Sequence, residues 1–163
     1  QDNSANKLVE GRTVFIENYY VPGPQTGASL TLRYNAKNYW FVSLTGSYVD
    51  NNYLDFNPDR RTIAGVEPIV KSEQPELWNQ IVAQEKLPSV FTLNFFGGKS
   101  WKINDYYIAV NASVGNVLDN TNLITGGFEQ FRFDYETKDV NRFPPRYFHG
   151  FGRNYSINVS VSF

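Results

Sequence analysis

The sequence has no cysteine, no methionine and a single histidine, His149. Without thiols it forms no disulfide and no thiolate metal site, an absence that leaves the compartment open. With one imidazole it assembles neither a histidine dyad nor a histidine-based zinc site within the chain. No apolar run approaches the roughly 18 residues of a membrane-spanning helix. Lys and Arg form no cluster, and 15 of them against 16 Asp and Glu give a net charge of −1, without the basic footprint of a nucleic-acid partner. The chain opens on polar QDNSANK (residues 1–7), with neither an initiator methionine nor a signal-peptide pattern. The expectation is therefore a mature protein or a piece of a longer one.

Aromatic residues, by contrast, are plentiful. They make up 17% of the chain, mostly Phe and Tyr, yet mean hydropathy is −0.43 because Asn, Ser and Thr fill the space between them. That mixture favours strands and Asn/Gly turns over helices. Alternation with a period of two appears in five places. ASLTLRY sets Leu30, Leu32 and Tyr34 against Ser29, Thr31 and Arg33. YWFVSLTGSYV sets Trp40, Val42, Leu44 and Tyr48 against Ser43, Thr45 and Ser47. VFTLNFFGGKSW sets Phe91, Leu93, Phe95 and Trp101 against Thr92, Asn94 and Ser100. YYIAVNASVGN carries Tyr106, Ile108, Val110, Ala112 and Val114 on one face. NYSINVSVSF, at the C-terminus, carries Tyr155, Ile157, Val159, Val161 and Phe163 on one face, opposite Asn and Ser. TVFIENYY near the start is a weaker sixth candidate, apolar on both faces.

The connections alternate in length. NAKNY and KIND are tight, whereas Val49 to Pro88 and Asp119 to Arg153 are long and rich in Asp, Asn, Pro and Gly. Within the first long stretch, PELWNQIVAQE predicts a short helix with Pro75 in its first turn and Trp78, Ile81 and Val82 on one side. Loops of that length are uncommon in compact soluble domains. Short turns at one end and long loops at the other are expected of a transmembrane β-barrel wall, with the long loops outside. Tyr34, Trp40, Trp101 and Tyr106 flank the two tight turns on the apolar faces, and Phe163 ends at the same level, as an aromatic membrane belt requires. The fold class expected is all-β, about six antiparallel up-and-down strands of such a barrel. A soluble β-sandwich acting as a ligand-binding module alternates in the same way and is the second reading. Six strands cannot close a membrane barrel, for which roughly eight is the minimum. The barrel reading therefore makes residues 1–163 the C-terminal part of a larger wall.

VGNVLDNTN, with its Asn-apolar-apolar-Asp run, together with NYSINVSVSF and the long-loop segments YVDNNYLDFNPDRRT, PELWNQIVAQEKLPSVFTLNFFGGKSW and ITGGFEQFRFDYETKDVNRFPPRYFHGFGRNY, resembles the end of a TonB-dependent outer-membrane transporter. The likeness runs from about Thr13 to Phe163 and points to the Bacteroidota branch, the SusC-like receptors and their carboxypeptidase-regulatory-domain relatives. It implies a barrel of roughly 22 strands plugged by an N-terminal domain, located in the bacterial outer membrane and importing nutrients. Its implied partners are TonB, engaged through the N-terminal part that this sequence lacks, the barrel assembly machinery, outer-membrane lipids and, as in SusC-like members, a surface lipoprotein lid. It also implies that Tyr155, Ile157, Val159, Val161 and Phe163 serve as the assembly signal, read by edge pairing.

No catalysis is expected. GGKS (Gly97 to Ser100) lacks the upstream glycine of a phosphate loop, since Leu93 stands there, and no helix follows; it reads as a glycine-softened strand. Asp55, Asn57 and Asp59 mimic the opening ligands of a calcium loop, but Arg60 and Val66 stand where Gly and Glu belong, so the commoner reading is turn chemistry. Calcium in an outer loop is thus the lesser cofactor reading, and no other metal or cofactor is expected. His149 is expected to pack between outer loops, or to touch ligand. Glu73 and Glu76 read as solvated residues of the loop helix, without glycosidase-type chemistry. N-x-S triplets at Asn111, Asn154 and Asn158 fall inside strands and read as polar-face positions. Substrate contacts would come from the long loops, with Trp78, Phe131, Tyr135 and Tyr147 as the stacking aromatics.

Overall fold

The computed structural model describes residues 13–67 and 69–163, which leaves the polar opening outside the described residues. The described residues divide into two compact units: a loop unit of residues 13–23, 53–67, 69–87 and 126–148, and a sheet unit of residues 24–52, 88–125 and 149–163.

The sheet unit is a five-stranded antiparallel meander made of β1 (Gly23–Asn35), β2 (Trp40–Tyr53), β3 (Val90–Ile103), β4 (Tyr106–Gly115) and β7 (Asn154–Ser162), in the order β1-β2-β3-β4-β7. It is open, with β1 and β7 at its edges. Each strand coincides with an alternating segment of the sequence, since a period of two is what a pleated strand presents to its two faces. The two tight turns are also in place. Tyr39, at φ 55, closes the β1–β2 turn, where the Ala36 N–H donates to the Trp40 carbonyl. Asn104, at φ 55, closes the β3–β4 turn, and Asn is among the residues that tolerate the left-handed region.

Two expectations are corrected. Thr13 to Tyr20 is not a sixth strand. Val14 makes a single bridge to Thr62, Phe15 N–H donates to the Arg61 carbonyl, and the Tyr20 backbone is held by the amide of Gln84. Its backbone groups thus find scattered partners instead of a ladder, consistent with a segment apolar on both faces. The strands also reach further than the alternation indicated: β2 continues through Asn51 and Asn52 to Tyr53, so the first long connection starts at Leu54.

The loop unit holds a 3-10 turn (Asp59–Arg61), α1 (Ile63–Val66) and α2 (Pro75–Val82). The remaining strands, β5 (Ile124–Phe128) and β6 (Arg146–His149), form a two-stranded sheet. α2 is the predicted helix, with Pro75 in its first turn. Ile81 and Val82 are fully buried with Val66, Ile69 and Phe133, and Phe15, Leu77, Trp78 and Val140 pack against that cluster. At Gly127 a Cβ would collide with the Arg146 carbonyl, so β5 and β6 approach at a distance only glycine permits.

Candidate functional site

The registers put the apolar positions of β2, β3, β4 and β7 on one face, and the Ser29–Ser47 and Thr31–Thr45 bonds place those of β1 with them. Val42, Gly97, Ala112 and Ile157 lie in one row, and Trp40, Lys99, Val110 and Val159 in the next. The opposite face carries mostly Ser, Thr and Asn, with Ser29 bonded to Ser47 and Thr31 to Thr45 across β1 and β2, and also Tyr107 and the Phe41–Phe96 ring pair under Arg33. Asn111, Asn154 and Asn158 lie among these polar positions, inside β4 and β7. The apolar face is bare: Leu30 is 68% exposed, Leu32 65%, Ile157 74% and Val159 60%. A soluble sheet buries that face against another layer, and exposed apolar patches above a few hundred Å² mark partner or membrane contacts.

Aromatic side chains border this face in two slanted rows. Near the turns, Tyr34 and Trp40 have ring centroids 5.5 Å apart, and Tyr106 and Phe163 6.5 Å. Trp40 stands opposite Lys99, two residues short of Trp101, and Trp101 stands opposite Ile108, two residues from Tyr106. Tyr107 opposite Ser162 sets Tyr106 level with Phe163. From Trp40 to Phe163 the row thus slips four residues over three strand-to-strand steps. At the far end Tyr48 stands opposite Phe91, while Tyr155 is level, through Val114, with Phe95. That row slips by the same four residues in the same direction. Phe91 and Phe95 lean over Gly46 and Gly97, covering the two glycines of the face.

The Asn-apolar-apolar-Asp run, Asn116 to Asp119, fastens the exit of β4 to the entry of β7. Asn116 is buried at φ 50, donates its amide to the Asn120 and Phe151 carbonyls, and accepts from the Asn120 N–H. Asp119 accepts from the Arg153 N–H, and Arg153 Nε donates to the Val117 carbonyl.

In the loop unit the organising element is a buried ion cluster that sequence reasoning missed. Arg61 is fully buried and satisfies all five donors: Nε to the Val82 carbonyl, Nη1 to the Asn57 carbonyl and Glu129 Oε2, and Nη2 to the Ala83 carbonyl and Glu129 Oε1. Arg60 adds a 2.9 Å ion pair to Glu129, and the Asn57 N–H donates to the same carboxylate at 2.6 Å. Burial pushes the Arg60 guanidinium below its ordinary value, although Glu129 opposes this. Among the described residues Arg60 Nε is left buried without a hydrogen-bond partner, whereas the Arg61–Glu129 pair is fully bonded and joins residues 57–61, 82–83 and 129. The only signal in the sequence was a lone Glu in an aromatic stretch and an Arg pair in a predicted loop.

The four stacking candidates lie in the loop unit, apart from one another in their contacts. Trp78 packs edge-on against Phe15 at 5.6 Å and belongs to the rim of the core. Phe131 is exposed. Tyr135 packs against Phe133, its hydroxyl donates to the Asp59 carbonyl at 3.3 Å, and burial raises its pKa. Tyr147 donates to Glu85 Oε1 at 2.9 Å; burial, then that bond, push its pKa up to about 12. His149 is exposed at the end of β6 instead of packed between loops. Glu73 and Glu76 are exposed.

Asp55 and Asn57 accept from the N–H groups of Phe56 and Asp59, the chemistry of a turn. Among the described residues no group of three or more His, Asp or Glu is placed to hold a metal ion. No helix of the described residues is long and apolar enough to cross a membrane, which says nothing of spanning by strands. No protein-family model, no curated protein and no solved structure matches the chain.

Proposed function

We propose that this chain is a stretch of transmembrane β-barrel wall, its apolar face turned to lipid and its polar face to an aqueous lumen. The observation that carries this reading is the pair of parallel aromatic rows bounding a bare apolar face. A line of constant height in a membrane crosses tilted strands obliquely, and the slip of the rows measures that tilt. With strands about 4.8 Å apart and a rise of about 3.4 Å per residue, four residues over three steps correspond to a tilt of about 45°. Transmembrane strands need about that tilt. The rows are eight residues apart on β2 and β7 and ten on β3, so their separation along the membrane normal is about 20–25 Å, close to the apolar band of outer-membrane barrels. The open edges of β1 and β7 call for pairing with further strands, because unpaired backbone groups in hydrocarbon cost kilocalories each.

Within that class, the resemblance of VGNVLDNTN, the terminal strand and the long loops supports the C-terminal wall of a TonB-dependent outer-membrane transporter, with the loop unit contributing to substrate contact. Its partners would be TonB, the assembly machinery, outer-membrane lipids and a lipoprotein lid. The terminal strand supplies the assembly signal through Tyr155, Ile157, Val159, Val161 and Phe163, five side chains that all stand exposed. Fractionation of the full-length protein tests this proposal. It should sediment with outer membranes, resist extraction by alkaline carbonate, and migrate differently on gels with and without boiling. Recovery in the soluble fraction would overturn it.

A further inference from the structure

One cation interrupts the apolar face: Lys99, in the row of Trp40, Val110 and Val159. Its ammonium lies over the Trp101 ring, 5.3 Å from the centroid. Trp101 is two residues nearer the turns, so the lysine reaches toward the aromatic row and away from the middle of the face, as a snorkelling side chain does. One row further from the turns, Gly97 and Ala112 stand side by side, with the Phe95 ring over the glycine and the small Ala112 side chain beside it. There a shallow, open furrow of about 480 Å³ runs along Trp40, Val42, Ala112 and the Phe95 ring and reaches Lys99.

The furrow therefore has polarity along its length, with a cation and indole rings at the turn end and small and apolar side chains beyond. Resting on the membrane reading above, the geometry points to a phospholipid site. The phosphate of an anionic phospholipid pairs with Lys99 between Trp40 and Trp101, and one acyl chain lies over Ala112 and against the Phe95 ring that covers Gly97. The charge complementarity selects an anionic headgroup, and the furrow continues in the direction in which the chain of such a lipid must run. A basic residue close to the membrane surface attracts anionic lipid, and the furrow adds apolar contact for the chain.

The test uses the full-length protein in mild detergent, exposed in separate arms to phosphatidylglycerol, phosphatidylcholine and lipopolysaccharide, with retained lipid counted by native mass spectrometry. A parallel flotation with vesicles reports membrane association. The expected result is one retained phosphatidylglycerol, held several-fold better than phosphatidylcholine, and lost in both Lys99→Gln and Ala112→Leu. Both substitutions lie on the exposed face and leave flotation unchanged. If the protein floats but retains the two phospholipids equally, or if the variants retain phosphatidylglycerol as well as the parent does, the lipid site is wrong and the barrel reading survives. Preferential retention of lipopolysaccharide overturns the phospholipid assignment. Failure to float overturns both.

Discussion

The two units solve opposite solvation problems. The loop unit buries Ile81, Val82 and Phe133 and also takes Arg61 and Glu129 out of water. The sheet unit does the reverse, leaving Leu30, Leu32, Ile157 and Val159 exposed, with Ser and Asn on the other face. A water-soluble domain has one inside. On the membrane reading proposed above, a chain whose loops have an ordinary core while its sheet leaves its apolar face uncovered meets two solvents at once.

The largest expected effect separates the units at the ion cluster. Glu129→Ala leaves two guanidinium groups without their carboxylate, and breaking a buried pair costs about 3–5 kcal/mol. Hydrogen exchange should accelerate at amides of residues 57–66 and 80–85, while the amides of β3 and β4 keep their protection. Loss of protection in both units together would show that they do not unfold separately.

The next effect tests the sheet. Val159 lies midway between Tyr155 and Phe163, and Val159→Arg should destabilise the lipid-inserted state by about 2–4 kcal/mol, the cost of a cation near the bilayer midplane. Its neighbour Ser160, substituted to Arg on the polar face, should cost much less. Urea titration of the full-length protein folded into vesicles compares the two.

Smaller effects follow from pH. The Thr137 hydroxyl, and next the Arg142 guanidinium, hold the Asp134 carboxyl well below the usual carboxylate range. Its folded pKa lies below its unfolded value, so the stabilisation is complete above about pH 4 and drains away as the pH falls below it. Arg142→Ala should raise the Asp134 titration midpoint, followed through the carboxyl carbon by NMR. At the alkaline end Tyr147 should ionise near pH 12, as it is raised by burial and by its bond to Glu85. Its neutral form is favoured by folding, so that contribution is intact below about pH 10 and lost as the pH rises through 12. Glu85→Gln should bring the phenolate absorbance change part of the way back toward 10.

What could be read from the sequence divides along the same line. The sheet unit follows local rules: Ser and Val alternating through β7, Asn104 at the left-handed position of the β3–β4 turn, Tyr and Trp at strand ends. Each needs only a few neighbouring residues to be visible. The helix Pro75–Val82 was legible for the same reason, through Pro75 and the spacing of Trp78, Ile81 and Val82. The loop unit was not. Glu129 and Arg61 meet across 68 positions of chain, and no period in the sequence announces such a pair. Thr13 to Tyr20 misled because apolar residues on both faces suit an extended segment held by a core as well as a strand. There Phe15 against Trp78 decided the outcome.

On the reading proposed above, the bare face meets lipid. A sequence without cysteine permits a direct measurement, with single cysteines placed at positions 157 to 160 of the full-length protein in vesicles and the rate of modification by a membrane-impermeant maleimide recorded. Alternation is expected, with Asn158 and Ser160 labelled quickly and Ile157 and Val159 shielded until detergent is added. Uniform labelling along the strand, or fast labelling at Ile157 and Val159 in intact vesicles, would contradict it.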